Sequence, residues 1–530
     1  MEYDVIFVLG EKYFDHPLCG VAILKRLLEK HGYKVGVIEN PRKAEEITKL
    51  GKPKLFFGVS SGAMDSMIRN YTALKRPREK DELLGYEKKI PDHAVIVYCN
   101  WIREKFKDSF IVIGGTEATL RRFSHYDYWD NSIRKSIIFD SRADILVYGP
   151  GEKQILEIAD RIKNKKELIG IKGTCIKTRE LTSGFIELPS HEEITNNKEK
   201  FCDVRKMDTS RLSEHPKISK SKEKFCDMQN LLSNWENLAQ KTGNFYVLQY
   251  ESPKYTSRDL DEYYELGFTR KLDENMKGFD FSVVTHRGCI GNCNFCSLRL
   301  TMGDKIVSRS EESIIREIKD FTKMPHFKGI VDDLGGPSAN MYGMDCFLCK
   351  GECINCNKLD RSNKKMISLL KKVRAIPGIK KVFIRSGIRY DLANEEYLRE
   401  LKNHISGKLK IAPEHVNKQV LKLMNKDMGN LEEFIRKFKE LNCGELSFYF
   451  MTAHPGSSMK EARELKEKIK QLKNAESVQI FTPTPMTVST CMYYTEMNPA
   501  TKEKIYVPKT FKEKKEQKRI LGLKDYRKKR

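Results

Sequence analysis

From about residue 279 the chain alternates short apolar strands with amphipathic helices, and does so for six steps. FDFSVVT is followed by ESIIREIKDFTK, FKGIVDDLGG by KKMISLLKKVRAI, and KKVFIRSG by NEEYLRELKNHI. GKLKIAPEH, NLEEFIRKFKEL, ELSFYFMTAHPG, MKEARELKEKIKQLK and ESVQIFTPTP continue the series, with no clear helix after the last strand. Apolar residues recurring at helical spacing between runs of strand type predict parallel strands with helices outside them. Six such steps predict an open or partial (β/α)6 barrel. Its functional groups belong at the carboxyl ends of its strands.

The first 160 residues show a second, separate alternation. DVIFVL reads as a buried strand, and the helix VAILKRLLEKHGY has apolar residues at 21, 24, 27 and 28. YKVGVIEN, KLFFGVSS, SFIVIGG and ADILVYG are further short strands, which predicts a doubly wound parallel sheet. Gly114–Glu117 and Gly149–Glu152 follow strands, at the edge where such sheets bind ligands, but neither is a dinucleotide fingerprint. Residues 161–270 are less regular and read as a connecting segment or insert, in which KEKFCD occurs at 198–203 and again at 222–227. The expected plan is an α/β domain over 1–160, the connecting region 161–270, the barrel 271–508 and a basic tail 509–530.

At 530 residues the chain is too long for one ordinary core, and 39 % apolar residues are enough to bury more than one. Its start, MEYDVIFVLGEK, is acidic and carries too short an apolar run for a secretion signal, and no apolar window is long enough to span a membrane. A cytoplasmic protein is expected, in which clustered cysteines bind metal or do redox work more often than they form disulfides. The formal charge is +24. That is the electrostatic footprint of an RNA partner or, more simply, of helices such as ELKEKIKQLK that face solvent.

RGCIGNCNFCSLR places Cys289, Cys293 and Cys296 within eight positions. Iron–sulfur cubanes are held by thiolates and usually take four, so three protein ligands leave one iron open. A structural zinc would want a fourth nearby ligand, for which His286 is the candidate. A C-x3-C-x2-C loop with glycines at 288 and 291 suits a wrap around something larger than one ion.

These three cysteines, with Phe295 before the third and at the end of the first barrel strand, resemble the signature of the radical S-adenosylmethionine (SAM) superfamily. The resemblance implies a [4Fe–4S] cluster on Cys289, Cys293 and Cys296, SAM bound at its open iron, a low-potential electron donor and a 5′-deoxyadenosyl radical that acts on a substrate. It also implies that Phe295 lies against the adenine. Gly335 and Gly336 then meet the methionyl group where relatives carry a GGE-like motif, although here Pro337 replaces the acid. Arg385-Ser386 is a candidate SAM contact, and Ala453–Gly456 and Pro483–Pro485 are candidates for the substrate pocket. FDHPLCG, SSGAMDSMIRNYTALKRPR, GGTEATLRRFSHYDYWD, DDLGGPSANMYG, LKIAPEH and TAHPG together resemble the uncharacterised YgiQ-type subfamily, over residues 1 to about 508. The N-terminal sheet then resembles a cobalamin-binding domain. The D-x-H-x-x-G motif is absent, so His16 reads as a loop histidine rather than a cobalt ligand, and cobalamin held without histidine stays open.

A second array, Cys346, Cys349, Cys353 and Cys356, lies in the loop after the second barrel strand. Its spacing fits an auxiliary iron–sulfur cluster, a structural zinc or a redox dithiol. The other seven cysteines are scattered and read as small apolar residues. The leading expectation is a radical SAM enzyme of unknown substrate. The alternatives are a cobalamin-dependent radical methyltransferase and a non-enzymatic, zinc-stapled RNA-binding protein.

Overall fold

The computed structural model describes residues 2–79, 90–195, 216–232, 236–348, 352–472 and 475–522. The chain forms two compact units, each assembled from several segments. Met1–Tyr13, Leu24–Pro253 and Thr482–Val507 make the first, and Phe14–Ile23, Lys254–Phe481 and Pro508–Arg530 the second.

The first unit is built on a nine-stranded sheet. Its strands in chain order are β1 (Val5–Leu9), β2 (Val35–Glu39), β3 (Phe56–Ser60), β4 (Ile111–Ile113) and β5 (Ile145–Val147). They continue with β6 (Thr174–Thr178), β7 (Ile186–Leu188), β8 (Leu238–Thr242) and β9 (Phe245–Gln249). The spatial order is β2-β1-β3-β4-β5-β6-β9-β8-β7. β1, VIFVL, is apolar and buried at every position, as a central strand covered on both faces must be. β1 to β5 run parallel, which is the doubly wound arrangement expected from the sequence. Residues 174–249, read from sequence as a connecting segment, supply the other four strands, with antiparallel joints at β5–β6, β6–β9 and β8–β9. The last of these is a two-residue hairpin at Gly243-Asn244, where Gly243 has φ 56°. A left-handed glycine at the first central position matches the twist of paired strands. The second KEKFCD copy lies in the helix Pro216–Leu231, and the first lies outside the described residues.

The second unit is the barrel. Its strands are β10 (Ser282–Val284), β11 (Ile330–Val331), β12 (Asp333–Gly335), β13 (Lys381–Val382), β14 (Lys408–Glu414), β15 (Glu445–Thr452) and β16 (Ala475–Ile480). β11 and β12 are two halves of one expected strand, interrupted at Asp332. β10 pairs β12, β11 pairs β13, Ile388 bridges to Ile411, and β14, β15 and β16 pair in turn, all in parallel. Six parallel stretches in chain order are the partial barrel that the alternation predicts. The helix Glu311–Phe321 shows how the outer layer forms. Ser310 caps it through the Ser313 amide, and Ile314, Ile318 and Phe321 turn one stripe inward to meet Val331, Leu369 and Val373 in the core. The same face buries Glu317, which pairs with both Arg270 and Arg309.

Two segments reach the barrel from elsewhere in the chain. The helix Phe511–Ile520, within the expected basic tail, packs on β15, β16 and the helix Met459–Gln471. It supplies the helix that the alternation left out after the sixth strand. Gln517 is fully buried there and accepts from the Ala453 amide and the Thr452 hydroxyl, each at 2.9 Å, while donating to Ser457 O at 2.8 Å. The FDHPLCG segment also joins this unit. Thr269 N donates to Asp15 Oδ2 at 3.0 Å, and Arg270 N to Asp15 O at 3.0 Å.

Candidate metal centre at the barrel mouth

The three cysteines follow β10 in a loop that the rest of the barrel holds in shape. Gly288 has φ 86°, and a side chain there would meet Lys305 O at 1.9 Å. Cys289 N donates to Gly303 O at 3.1 Å and Cys296 N to Cys293 O at 3.1 Å. The loop after β14 grips the other side: Asn294 N donates to Met424 O, Asn294 Nδ2 to Leu423 O and Asn425 Nδ2 to Asn292 O, each at 2.9 Å.

Burial pushes the Cys289 thiol upward and the Cys296 thiol to about 12, because a thiolate loses its water there. Among the described residues, the only three potential ligands whose donor atoms all fall within 4.8 Å of one another are His93, Asp127 and Asp130 in the first unit. Arg121 and Arg134 pair with two of those three, which makes them an ion-pair network. The thiols of Cys289, Cys293 and Cys296 are not among such groups.

Two cations, each paired with a carboxylate, stand beside them. Arg389 Nη1 lies 3.8 Å from Cys293 Sγ, and its other edge pairs with Asp391 at 2.8 Å. Lys426 is almost wholly buried, with its Nζ 2.9 Å from Glu414 Oε1 and 5.6 Å from the centre of the Phe295 ring. Glu414 ends β14 with φ 66°, and its second oxygen is buried with no hydrogen-bond partner. Phe295 also meets the His454 ring edge-on at 6.4 Å. Sequence reasoning singled out Phe295 but not Glu414 or Lys426. Their signal is three-dimensional, since the loop after β14 brings them to a residue more than a hundred positions earlier.

The other expected positions divide. Gly336 is glycine because a side chain would meet the His286 ring at 2.4 Å, and Gly335 because one would meet Ser386 Oγ at 2.4 Å. Gly335 O is occupied, accepting from Thr285 N at 2.8 Å and its hydroxyl at 3.1 Å. Ser386 is bonded to Asp333, and Arg385 turns to Gly278 O. His286 is fully buried and its Nε2 has no partner, as is true of His415 Nε2 after β14.

Of the second array, Cys346, Cys353 and Cys356 are described and Cys349 is not. Cys353 sits in an apolar cluster with Ile290, Ile306 and Leu392, against which Cys289 also packs. Lys305 Nζ donates to Cys353 Sγ at 3.1 Å, Lys358 N to Cys356 Sγ at 3.4 Å, and Asn292 Nδ2 to Glu352 Oε1 at 2.6 Å. The second loop thus rests on the first. Of the scattered cysteines, 99, 175, 226, 443 and 491 are buried as expected, Cys19 is half-buried and Cys202 is outside the described residues.

His16 does not fit a cobalt ligand. Its Nε2 bonds Asp280 O at 2.9 Å and its Nδ1 accepts from Leu18 N at 3.1 Å, so no lone pair is left.

A partial barrel with three thiols at the end of its first strand, preceded in the chain by a doubly wound sheet, defines a radical SAM protein. Residues 1–283 match the radical SAM N-terminal family and 283–469 the radical SAM superfamily, while 476–528 match a domain of unknown function. The chain belongs to the uncharacterised UPF0313 family. It is 41 % identical to a UPF0313 protein of Methanocaldococcus jannaschii over 98 % of this chain and 89 % of that one. It is 42 % identical to one of Clostridium botulinum over 98 % and 85 %. Among solved structures the fold is similar to the radical SAM methyltransferase TsrM from Kitasatospora setae with cobalamin and a [4Fe–4S] cluster bound (TM-score 0.53, 15 % identity, 93 % of this chain and 79 % of that one). It is also similar to the cobalamin-dependent SAM radical enzyme OxsB (TM-score 0.51, 12 % identity, 93 % and 56 %). The protein is therefore an enzyme of the radical SAM class. Among the described residues no helix is long and apolar enough to cross a membrane.

Proposed function

We propose that Cys289, Cys293 and Cys296 hold a [4Fe–4S] cluster and that the barrel cleaves SAM reductively. The observation that carries this is the set of three half-buried thiols on one loop, beside two cations and a buried carboxylate oxygen without a hydrogen-bond partner. Held by these three thiolates, such a cluster would supply the site and the electron for reductive cleavage of SAM. The chain's own residues bind and orient. Glu414 Oε2 accepts the methionyl ammonium in place of the acid that Pro337 replaces, and Lys426 takes the methionyl carboxylate with the donors that Glu414 does not use. Arg389 and Lys426 offset the negative charge of the thiolates. Phe295 lies beside the adenine, a contact worth about 1 kcal/mol. Gly335 and Gly336 keep the approach to the methionyl group open.

Anaerobic incubation with SAM and dithionite tests this, scored for 5′-deoxyadenosine and methionine. A preparation with full iron and sulfide that forms neither product refutes it. Cys346, Cys353 and Cys356, with Cys349, hold a second metal. An auxiliary cluster is the reading preferred from their compact spacing. About eight irons per chain support that, and about four irons with one zinc count against it.

A second reading, a cobalamin-dependent methyltransferase, is favoured by the fold shared with two corrinoid enzymes. It requires corrinoid held without His16, and corrinoid absorbance after growth with cobalamin decides it.

A further inference from the structure

Gly291 lies between the first two cysteines of the loop, and its φ is outside the left-handed region, so its backbone does not require glycine. Space is the reason. A side chain there would stand 2.7 Å from Arg389 Nη1 and 3.4 Å from Cys289 Sγ. The missing Cβ leaves a seat for a guanidinium beside the sulfurs.

Arg389 is held in that seat at both ends. Asn340, fully buried after β12, donates from Nδ2 to Arg389 O at 2.8 Å and accepts from Arg389 N at 3.1 Å. Asp391 takes the far edge of the guanidinium with both oxygens, Oδ1 from Nε at 3.1 Å and Oδ2 from Nη2 at 2.8 Å. Two parallel bonds fix the plane of the head. Nη1 is left on the side of the cysteines, where it donates toward Cys293 Sγ at 3.8 Å. The side chain is 8 % exposed, so salt and water screen its charge little. Lys426, the other cation, gives its Nζ to Glu414 instead.

We propose that Arg389 sets the reduction potential of the cluster, an inference that rests on the assignment of that cluster to Cys289, Cys293 and Cys296. One electron from a low-potential donor adds one negative charge to the cluster and its thiolates, with no bond broken. A cation bonded to a ligating sulfur stabilises the more negative state, so Arg389 makes reduction easier. Asp391 and Asn340 position it, and Gly291 gives it room.

The test is a redox titration of the anaerobically reconstituted full chain without SAM, with dithionite as reductant, followed by electron paramagnetic resonance. The signal missing from a variant with Cys289, Cys293 and Cys296 replaced by Ala belongs to this cluster, which separates it from a second one. Arg389→Gln should bind iron and sulfide as the wild type does and be reduced about tenfold less readily. That is a midpoint about 60 mV more negative, at about 59 mV per tenfold for one electron. Arg389→Lys keeps the charge and should recover about half of the shift. Gly291→Ala pushes on Nη1, so it should lower the midpoint in the wild type and add nothing in Arg389→Gln. An Arg389→Gln midpoint equal to or above that of the wild type, at full iron content, overturns the proposal. So does a Gly291→Ala shift of equal size in both backgrounds, which would place the effect in the loop itself. If Arg389→Gln binds no iron, Arg389→Lys and Gly291→Ala decide, and unchanged midpoints in both overturn it. A wild type that takes up no iron and sulfide on these cysteines refutes the cluster assignment first, and this inference with it.

Discussion

At the carboxyl edge of the first unit, the crevice between β1 and β3 is where a doubly wound sheet changes direction and usually binds its ligand. Here the protein closes it with its own atoms. Gly10 N donates to Ser60 O at 3.0 Å, Ala63 N donates to Glu11 Oε1 at 3.1 Å, and a side chain at Gly62 would strike the Glu11 carboxylate at 2.4 Å. At the same edge of the barrel, Glu414 Oε2, His286 Nε2 and His415 Nε2 are buried with no partner. Both edges come from the same architecture. Readiness to bind is set by which polar atoms the fold leaves unmatched, because an orphaned buried group costs about 1–3 kcal/mol until a ligand satisfies it.

The comparison breaks most completely if the barrel edge works without its thiols. Replacing Cys289, Cys293 and Cys296 together by Ala should abolish SAM cleavage while circular dichroism stays native, since the strands do not rely on those side chains. Full cleavage by that variant would remove the assignment.

His16 sharpens the contrast from the satisfied side. Both its nitrogens are used, and burial, then Arg270, hold its pKa at about 4, while Asp280 and Asp15 pull weakly the other way. The folded state therefore refuses a proton that the unfolded chain accepts. The linked stability is complete above about pH 6.5 and is lost as pH falls toward 4, by about 3 kcal/mol. Urea midpoints for wild type and His16→Gln across that range should converge as pH falls. A constant gap would mean that the ring is protonated in the folded protein.

Lys426→Met removes the cation nearest the unmatched carboxylate. It should weaken SAM binding by about 30-fold, the worth of a charged hydrogen bond, with iron content unchanged. Equal binding, measured by equilibrium dialysis, would transfer the carboxylate contact to Arg389. The smallest effect belongs to the sealed edge. Glu11→Ala should cost about 1–2 kcal/mol in urea unfolding and leave SAM cleavage as it was. A loss of cleavage there would mean that the crevice serves the reaction after all.

The barrel was legible because each strand–helix step is local, and the apolar stripe of Glu311–Phe321 is written in consecutive residues. The spacing of Cys289, Cys293 and Cys296 is equally local, and it is this spacing that suggests a cluster. The helix Phe511–Ile520 was not assigned to the barrel, because Thr482–Val507 folds with the other unit between it and β16. The hairpin at Gly243-Asn244 was passed over, although glycine between two alternating runs is its ordinary signal. Glu414 lies in the LKIAPEH stretch at a strand end, but its unmatched oxygen and its pairing with Lys426 have no spacing in the sequence. Cys349 and the end of the basic segment, 523–530, lie outside the described residues.

The position of the helix Phe511–Ile520 also has a consequence in time. A ribosome adding about 5–20 residues per second finishes that helix about 2–8 s after β16. Throughout that interval β15, β16 and the helix Met459–Gln471 lack their cover, and the AHPG turn lacks Gln517. The barrel mouth is thus fully shaped only after the helix Phe511–Ile520 has docked. A nascent chain stalled before residue 511 should expose those uncovered faces and bind chaperones.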